Sequence, residues 1–591
     1  MKRKTLFLIF FWLFFLPGCQ VIDAALPTDT AVPIDTAVPT ATAILQPQAI
    51  TPSPIPPTPT TQPADTPPTQ TPAQLSTTEA DGATDLSVTS DELFLYPIPY
   101  LVDGDLATIQ VIPTVPSTVD WQAVSVHVLL DGRDLTNSGL VWRNLASRPE
   151  ALFEWAWDTT GQTGEHQLEI VLDRDDRIQA GDENPDNNRL VTAVTVQPIT
   201  VRSAAEVNAA WVTSENNCCR VHVVTGTAAH RDLPQLLATL EAATAEAATR
   251  LDEPLQQKIE IYFVDRVLGQ GGYAGSAIVI SYLDRPYNGQ GLYETLVHES
   301  VHVIDRQFAP QRIAILAEGV AVWATGGHYK SEDLNLRNAA LVSIGQYVPL
   351  TALADDFYPV QHEIGYLEAG GFVEYLINTY GWTRFREFYT DVNMDDAPTP
   401  SAALDLNLQR YYDKSLADME AQWQGYLMGL ELPETAVTDL ATTIRYYDVM
   451  RRYQTHYDPT AYFLTAWLPY PEDVEEKGNP ADLTRRSHAE VNVTLEAMLA
   501  STDDALRAGN YNRANVILDS ITRVLDNDGA FLDPLATNYL NIVRLAAAEG
   551  YEVQRITLNG DQADLLVTKT NTTNLKRFNM VLRGQDWILT N

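Results

Sequence analysis

LYETLVHESVHVI, residues 292–304, is the stretch whose reading decides the central fold. Apolar side chains fill most of its positions, with Asn288 and Gly289 before it and Pro310 after, the setting of a buried helix closed at both ends. His298 and His302 are four residues apart, so a helix stacks their rings on one face and aims them at a common point, with Glu299 offset beside them. Sixteen residues beyond His302, a second helical stretch from Ile315 to Trp323 carries Glu318 and Gly319 in an apolar surface and is closed by Gly326 and Gly327. An ionised glutamate there is costly unless paired, and a cation held by His298 and His302 is the expected pair. In a chain with 10 histidines the pattern HExxH arises by chance about once in a hundred trials, so the second helix makes the case.

HExxH followed by Glu-Gly on its own helix resembles the gluzincin metallopeptidases, in particular the bacterial peptidase MA-like families. Gly271–Gly275 leading into Ala277–Tyr282 is similar to the family's edge strand, and Gly365, Tyr366 and Phe372–Gly381 are similar to its later helix. The resemblance covers residues 205–430 and implies an α+β zincin-like domain that uses Zn2+ to hydrolyse peptide or protein substrates. It implies His298, His302 and Glu318 as metal ligands, Glu299 as general base, and Tyr366 as donor to the oxyanion, with His328 and His362 as the next candidates. A core aromatic is the competing role for Tyr366. The thermolysin-like pattern has an aspartate four residues after the ligand glutamate, and this chain has Val322.

The chemistry also follows from the donor set. Three protein ligands leave a fourth position for water, whose pKa zinc lowers toward about 7, and Glu299 can take its proton and pass it to the departing amine. Glu294 precedes His298 by four residues, but three ligands in line along one helix cannot close a tetrahedron, so it is read as a supporting or substrate-facing group. Asp305 is expected to be a capping or surface charge rather than to orient a ligand ring. If Ala277–Tyr282 lies at a sheet edge, it can bind a substrate backbone as an added strand.

Outward from this core the chain is modular. Residues 1–18 form a leader: Lys2, Arg3 and Lys4 precede an apolar run from Leu6 to Leu16. Leu16-Pro17-Gly18-Cys19 resembles the bacterial lipobox, which implies cleavage before a lipidated Cys19 and a location on the outer face of the cell membrane, tethered by acyl chains. Residues 19–90 form a disordered Pro/Thr-rich linker. From Pro27 to Pro72 there are 13 prolines and 12 threonines in 46 residues, a semi-stiff spacer with no core. Residues 91–198 alternate with period two, as at Val124, Val126 and Val128, at Phe153, Trp155 and Trp157, and at Leu168, Ile170 and Leu172. They predict an immunoglobulin-like antiparallel β-sandwich.

The stretch from Asp182 to Asn188 resembles the closing motif of the CARDB family, an adhesion-related bacterial sandwich, which implies a cell-surface or wall partner. Asp173, Asp175, Asp176, Asp182 and Glu183 are read as solvated hairpin charges rather than a calcium loop, because the glycine and terminal glutamate of an EF-hand are missing. The neighbouring Cys218 and Cys219 are expected to be two thiols, since adjacent alpha carbons are too close for an unstrained bridge. Residues 433–591 predict a small α+β domain, with helices Val491–Arg507 and Tyr511–Leu525, a turn at Asn559-Gly560 and a last strand at Trp587–Leu589. The order of helices then strands resembles nuclear-transport-factor-like cone domains.

Charge narrows the function classes. Lys+Arg 39 against Asp+Glu 77 leaves −38, with no basic cluster, which excludes nucleic acid as a partner. The sequence supports three readings: a tethered zinc metallopeptidase, an adhesion or binding lipoprotein that keeps the peptidase fold without activity, and a hydrolase of non-peptide amides in cell-wall material.

Overall fold

Alternation in the first module builds two sheets. The computed structural model describes residues 85–591 except 146–147, 179, 266–270, 290, 359, 463–473, 477, 571 and 591. The leader, Cys19 and most of the Pro/Thr-rich linker lie outside the described residues. One sheet of the sandwich has Leu93–Tyr96, Leu106–Val111, Arg148–Asp158 and Val141–Leu145 side by side. The other has Leu101–Val102, Arg189–Gln197, Gly164–Leu172, Ser125–Leu130 and Arg133–Gly139. Val126, Val128, Leu168, Ile170 and Leu172 are buried between the sheets, as the period-two pattern requires. The sandwich starts before residue 91, because Leu86 and Val88 are buried in its core. Two of the five acids expected at the surface, Asp173 and Asp182, are instead buried.

The central region is a five-stranded sheet in the order Trp211–Glu215, Cys219–Val224, Ile259–Val264, Ile278–Ser281, Gly272–Ala274. Its three middle strands run parallel and read as nearly continuous apolar runs, as strands covered on both faces do. Ile278–Ser281 is not the edge. Gly272–Ala274 turns back and pairs antiparallel with it, taking the edge position. Helix Leu233–Leu251 packs on the helix that carries the histidine pair, Leu292–Asp305, and the two share one core with the sheet.

Cys218 and Cys219 form a disulfide, where two thiols were expected. The alpha carbons are 3.7 Å apart, and Cys218 precedes the strand, in a turn, so the pair is not held in the extended alternation of a strand. There the Asn216 side-chain oxygen accepts the backbone N–H of Cys218 at 3.2 Å and of Cys219 at 2.9 Å.

Beyond the sheet the chain is helical to Tyr457, then forms helices Glu490–Arg507, Tyr511–Asp526 and Pro534–Ala548 and a four-stranded antiparallel sheet from Tyr551 to Thr590. Gly560, at φ 64°, makes the tight turn between the first two of these strands. This last part shares its core with the central region: Tyr287 and Tyr329 lie among the buried side chains of the C-terminal helices and sheet. No helix among the described residues is long and apolar enough to cross a membrane.

Candidate metal centre

Two helices bring the donors together, and glycine sets how closely they can do so. Leu292–Asp305 is buried from Thr295 through Val301, and it presents His298 and His302 one turn apart. Ala314–Thr325 carries Glu318 and ends at Gly326 in a left-handed conformation, φ 73°. It packs on helix His362–Tyr380 so tightly that a Cβ on Gly319 would stand 2.6 Å from the Ala369 carbonyl oxygen, and one on Gly370 would stand 2.5 Å from Val322. Gly319 therefore lets the helix settle deep enough for Glu318 to reach the histidines.

The three side chains meet in a nearly equilateral triangle. His298 Nε2 and His302 Nε2 are 3.1 Å apart, and Glu318 Oε2 lies 3.1 Å from the first and 3.2 Å from the second. A nitrogen with at most one hydrogen cannot bond along two sides of such a triangle at once, so hydrogen bonding alone does not account for it. Ligands at about 2.0–2.2 Å in a tetrahedron stand roughly 3.3–3.6 Å from one another, within a few tenths of what is seen. Charge agrees in sign: the buried Glu318 carboxylate is held in its charged form, and a cation is the partner such a charge calls for. The donor set and spacing thus fit a divalent metal ion.

The electrostatics follow from burial and from this proximity. Burial disfavours the Glu318 charge, but the two imidazoles outweigh it and hold its carboxyl well below the usual range. His302 is displaced upward: burial opposes its charge, and Glu318 overcomes the burial. Burial pushes Glu299 up against the opposing pull of His298 and His302, and its carboxylate has no hydrogen-bond partner among the described residues. Tyr358 donates to Glu318 Oε1 at 2.7 Å, so one oxygen of that carboxylate is oriented by the phenol while the other faces the histidines. Burial first, and the Glu318 charge second, keep the Tyr358 and Tyr366 hydroxyls protonated far above the ordinary tyrosine range.

The remaining expected residues sort clearly. The Tyr366 ring stands 6.0 Å from that of His298 and 4.8 Å from that of His328, so it forms a wall of the site. His328 Nδ1 is 2.9 Å from Glu363 Oε2 and takes no part in the triangle. The side chain of His362 lies outside the described residues. Glu294 is half-buried and lies against Gly291, apart from the metal-binding group. Asp305 is not a surface or capping charge: it is fully buried, accepts the Tyr389 hydroxyl at 2.6 Å and pairs with Arg312 at 3.2 Å. His302 Nδ1 is buried without a hydrogen-bond partner among the described residues, and Val322 packs in an apolar cluster with Leu334, Leu341 and Leu440. Arg306 takes the carbonyls of Ala274 and Gly275 at 2.7 and 2.8 Å, tying the edge strand to the end of the histidine helix. Tyr358 escaped the sequence, since Phe357 and Tyr358 sit in a loop with no periodicity to flag them. A separate cleft of about 500 Å3, lined by Tyr100, Arg485, His488 and Glu552 among others, lies at the junction with the sandwich, and none of the three donors lines it.

No family model matches the sequence, and no curated protein matches it. Among solved structures, the CARDB domain of a Pyrococcus furiosus protein, crystallised in complex with di-metal ions, is 20% identical over 19% of this chain and 87% of that chain, with a TM-score of 0.14. An M1 zinc metallopeptidase variant from Deinococcus radiodurans is 10% identical over 59% of this chain and 96% of that chain, with a TM-score of 0.27. An aminopeptidase N family protein from Idiomarina loihiensis is 10% identical over 60% and 77%, with a TM-score of 0.27.

Proposed function

We propose that this protein is a zinc-dependent metallopeptidase, exported and tethered through lipid on Cys19 to the outer face of a bacterial membrane, with the β-sandwich as stand-off or surface-binding module. The observation that carries the hydrolytic reading is the triangle of His298 Nε2, His302 Nε2 and Glu318 Oε2, with sides of 3.1 to 3.2 Å. A zinc ion bound there supplies a Lewis acid and a water of lowered pKa next to Glu299. Glu299, buried and without a hydrogen-bond partner among the described residues, takes a proton from the attacking water on its carboxylate and delivers it to the amine nitrogen that leaves. Tyr366, whose hydroxyl keeps its proton, donates to the carbonyl oxygen of the substrate as charge builds on it. Tyr358 fixes Glu318, and Gly319 fixes the depth of its helix.

The test pairs zinc per chain, by elemental analysis, with hydrolysis of an unfolded protein, for wild type and Glu299→Gln. The expected result is one zinc in both proteins and a rate about 10²–10⁴-fold lower in the variant. Zinc without hydrolysis of any peptide in the wild type would leave an inactive binding lipoprotein, and hydrolysis confined to wall fragments would make the substrate a non-peptide amide. Labelling with radioactive fatty acid, lost in Cys19→Ser, checks the anchor.

A further inference from the structure

The loop between sandwich strands Gly164–Leu172 and Arg189–Gln197 gathers acidic side chains, and burial sorts them. Asp173 is 5% exposed and Asp182 9%, whereas Asp175, Asp176 and Glu183 are at the surface. Each buried carboxylate is held through one oxygen. Asp173 Oδ2 accepts the backbone N–H of Ile178 at 2.7 Å, and Asp182 Oδ2 accepts the Asn188 side-chain amide at 2.8 Å. Asp173 Oδ1 and Asp182 Oδ1 are buried with no partner, and neither residue has an ion pair among the described residues.

Two asparagines repeat the pattern. Asn188 commits its Nδ2 to Asp182, and Asn187 commits its Nδ2 to Asp85 Oδ2 at 2.9 Å, while both side-chain oxygens are buried without a partner among the described residues. Poor packing strands donors as readily as acceptors. Here all four unpartnered side-chain atoms are oxygens, and buried oxygens without hydrogen-bond donors are the signature of a site for a hard cation.

One carboxylate oxygen from each of Asp173, Asp176 and Asp182 lies within 4.8 Å of the other two, close enough for the three to share one ion. Calcium takes about six to eight oxygen ligands in a flexible geometry, whereas magnesium demands a near-ideal octahedron, so carboxylate and amide oxygens drawn from one loop suit calcium. We propose that Asp173, Asp176 and Asp182 bind one Ca2+ ion, with Asn188 Oδ1, held in place by Asp182, as a further donor. The ion joins the end of strand Gly164–Leu172 to the segment leading into strand Arg189–Gln197, closing the loop between them. Three carboxylates at a partly exposed site suit the affinity class of extracellular calcium modules, about 10⁻⁴–10⁻³ M. The site is remote in sequence from the hydrolytic centre and stands whether or not that centre is active.

The test uses the full chain, saturated with zinc so that the other centre does not respond. Calorimetric titration with CaCl2 is expected to show one ion per chain, with Kd below about 1 mM and at least tenfold weaker binding of Mg2+. Asp173→Asn and Asp182→Asn are each expected to weaken Ca2+ at least tenfold, while Glu318→Gln leaves it unchanged. Without calcium, Asp182→Asn is expected to melt at or above the wild-type temperature, because one of the crowded like charges is gone; with 5 mM Ca2+ the order reverses. Terbium luminescence on the wild type, displaced by calcium, gives the same answer if a variant fails to fold. No heat and no displacement of terbium in the wild type, or Mg2+ binding as tightly as Ca2+, would overturn the proposal.

Discussion

Two deeply buried polar clusters are built on opposite principles. At the first, Arg285 and Glu496 are fully buried as an ion pair, and Arg285 also reaches Glu552 at 2.8 Å and the Val553 carbonyl at 2.8 Å. Tyr453 donates to the other oxygen of Glu496 at 2.6 Å, and Arg486 and His488 complete Glu552. Every carboxylate oxygen there meets a donor from the protein, so the cluster is closed to a cation, although one nitrogen each of Arg285 and Arg486 is buried without a partner among the described residues, and it joins the central region to the last sheet. At the candidate metal centre the donor atoms of His298, His302 and Glu318 converge on one spot instead. Burial of charge is common to both; convergence of acceptors marks the one fit to take a cation.

The sharpest way to break that distinction is to delete one member of each. His302→Ala is expected to lower zinc from one per chain to near zero and to make hydrolysis undetectable, a larger loss than in Glu299→Gln, with little change in the midpoint of chemical denaturation of the zinc-free protein. Arg285→Met is expected to do the reverse: zinc retained, and stability lower by about 3–5 kcal/mol because Glu496 is left buried without its cation. Urea denaturation of both variants, with zinc analysis, reads the two quantities together. A stable Arg285→Met protein would mean that the closed cluster is not the joint it looks like.

Helix depth gives a finer probe. Gly319→Ala forces a methyl group toward the Ala369 carbonyl, where 2.6 Å is available, and overpacking of this kind costs about 1–3 kcal/mol. The helix moves out and Glu318 moves with it, so zinc affinity, measured by competition with a chelating dye, is expected to fall at least tenfold. Gly425→Ala, inside helix Leu416–Met428 with no atom within 4 Å of the new methyl, is the control and is expected to gain about 0.5–1 kcal/mol. Equal behaviour of the two variants would show that the close approach at Gly319 does not position the ligand.

The same contrast explains what the sequence could show. The histidine pair and Glu318 were legible because helical periodicity turns sequence spacing into spatial direction, and the sandwich strands were legible because period two does the same for sheets. Strand order is a long-range property, so Gly272–Ala274 taking the edge from Ile278–Ser281 could not be read locally. Burial of Asp173 and Asp182 escaped for a related reason: composition reports charge, whereas the fold decides which charges water reaches. Tyr287 and Tyr329 joining the C-terminal core is equally invisible along the chain, as is the Asn216 side chain folding the Cys218–Cys219 turn.

The smallest effect concerns a carboxylate that has neither a metal triangle nor an arginine. Glu368, fully buried in helix His362–Tyr380, accepts the Val348 backbone N–H at 3.0 Å through Oε2, while its Oε1 has no partner among the described residues. Burial, joined by the like charge of Glu420 and only partly offset by that N–H, holds its carboxyl well above the usual range. The folded state therefore binds this proton more tightly than the unfolded chain does, so the group costs nothing below the unfolded pKa near 4.5 and weakens the fold progressively as pH rises toward the folded pKa. Glu368→Gln removes the ionisation. At pH 8 it is expected to be more stable than wild type by about 1–3 kcal/mol, the cost of one buried polar group left unsatisfied, with the gap narrowing toward pH 5. Urea midpoints at the two pH values check this, and a gap of constant size would mean that Glu368 stays neutral throughout, in contrast to Glu318, whose carboxyl its two histidines hold well below the usual range.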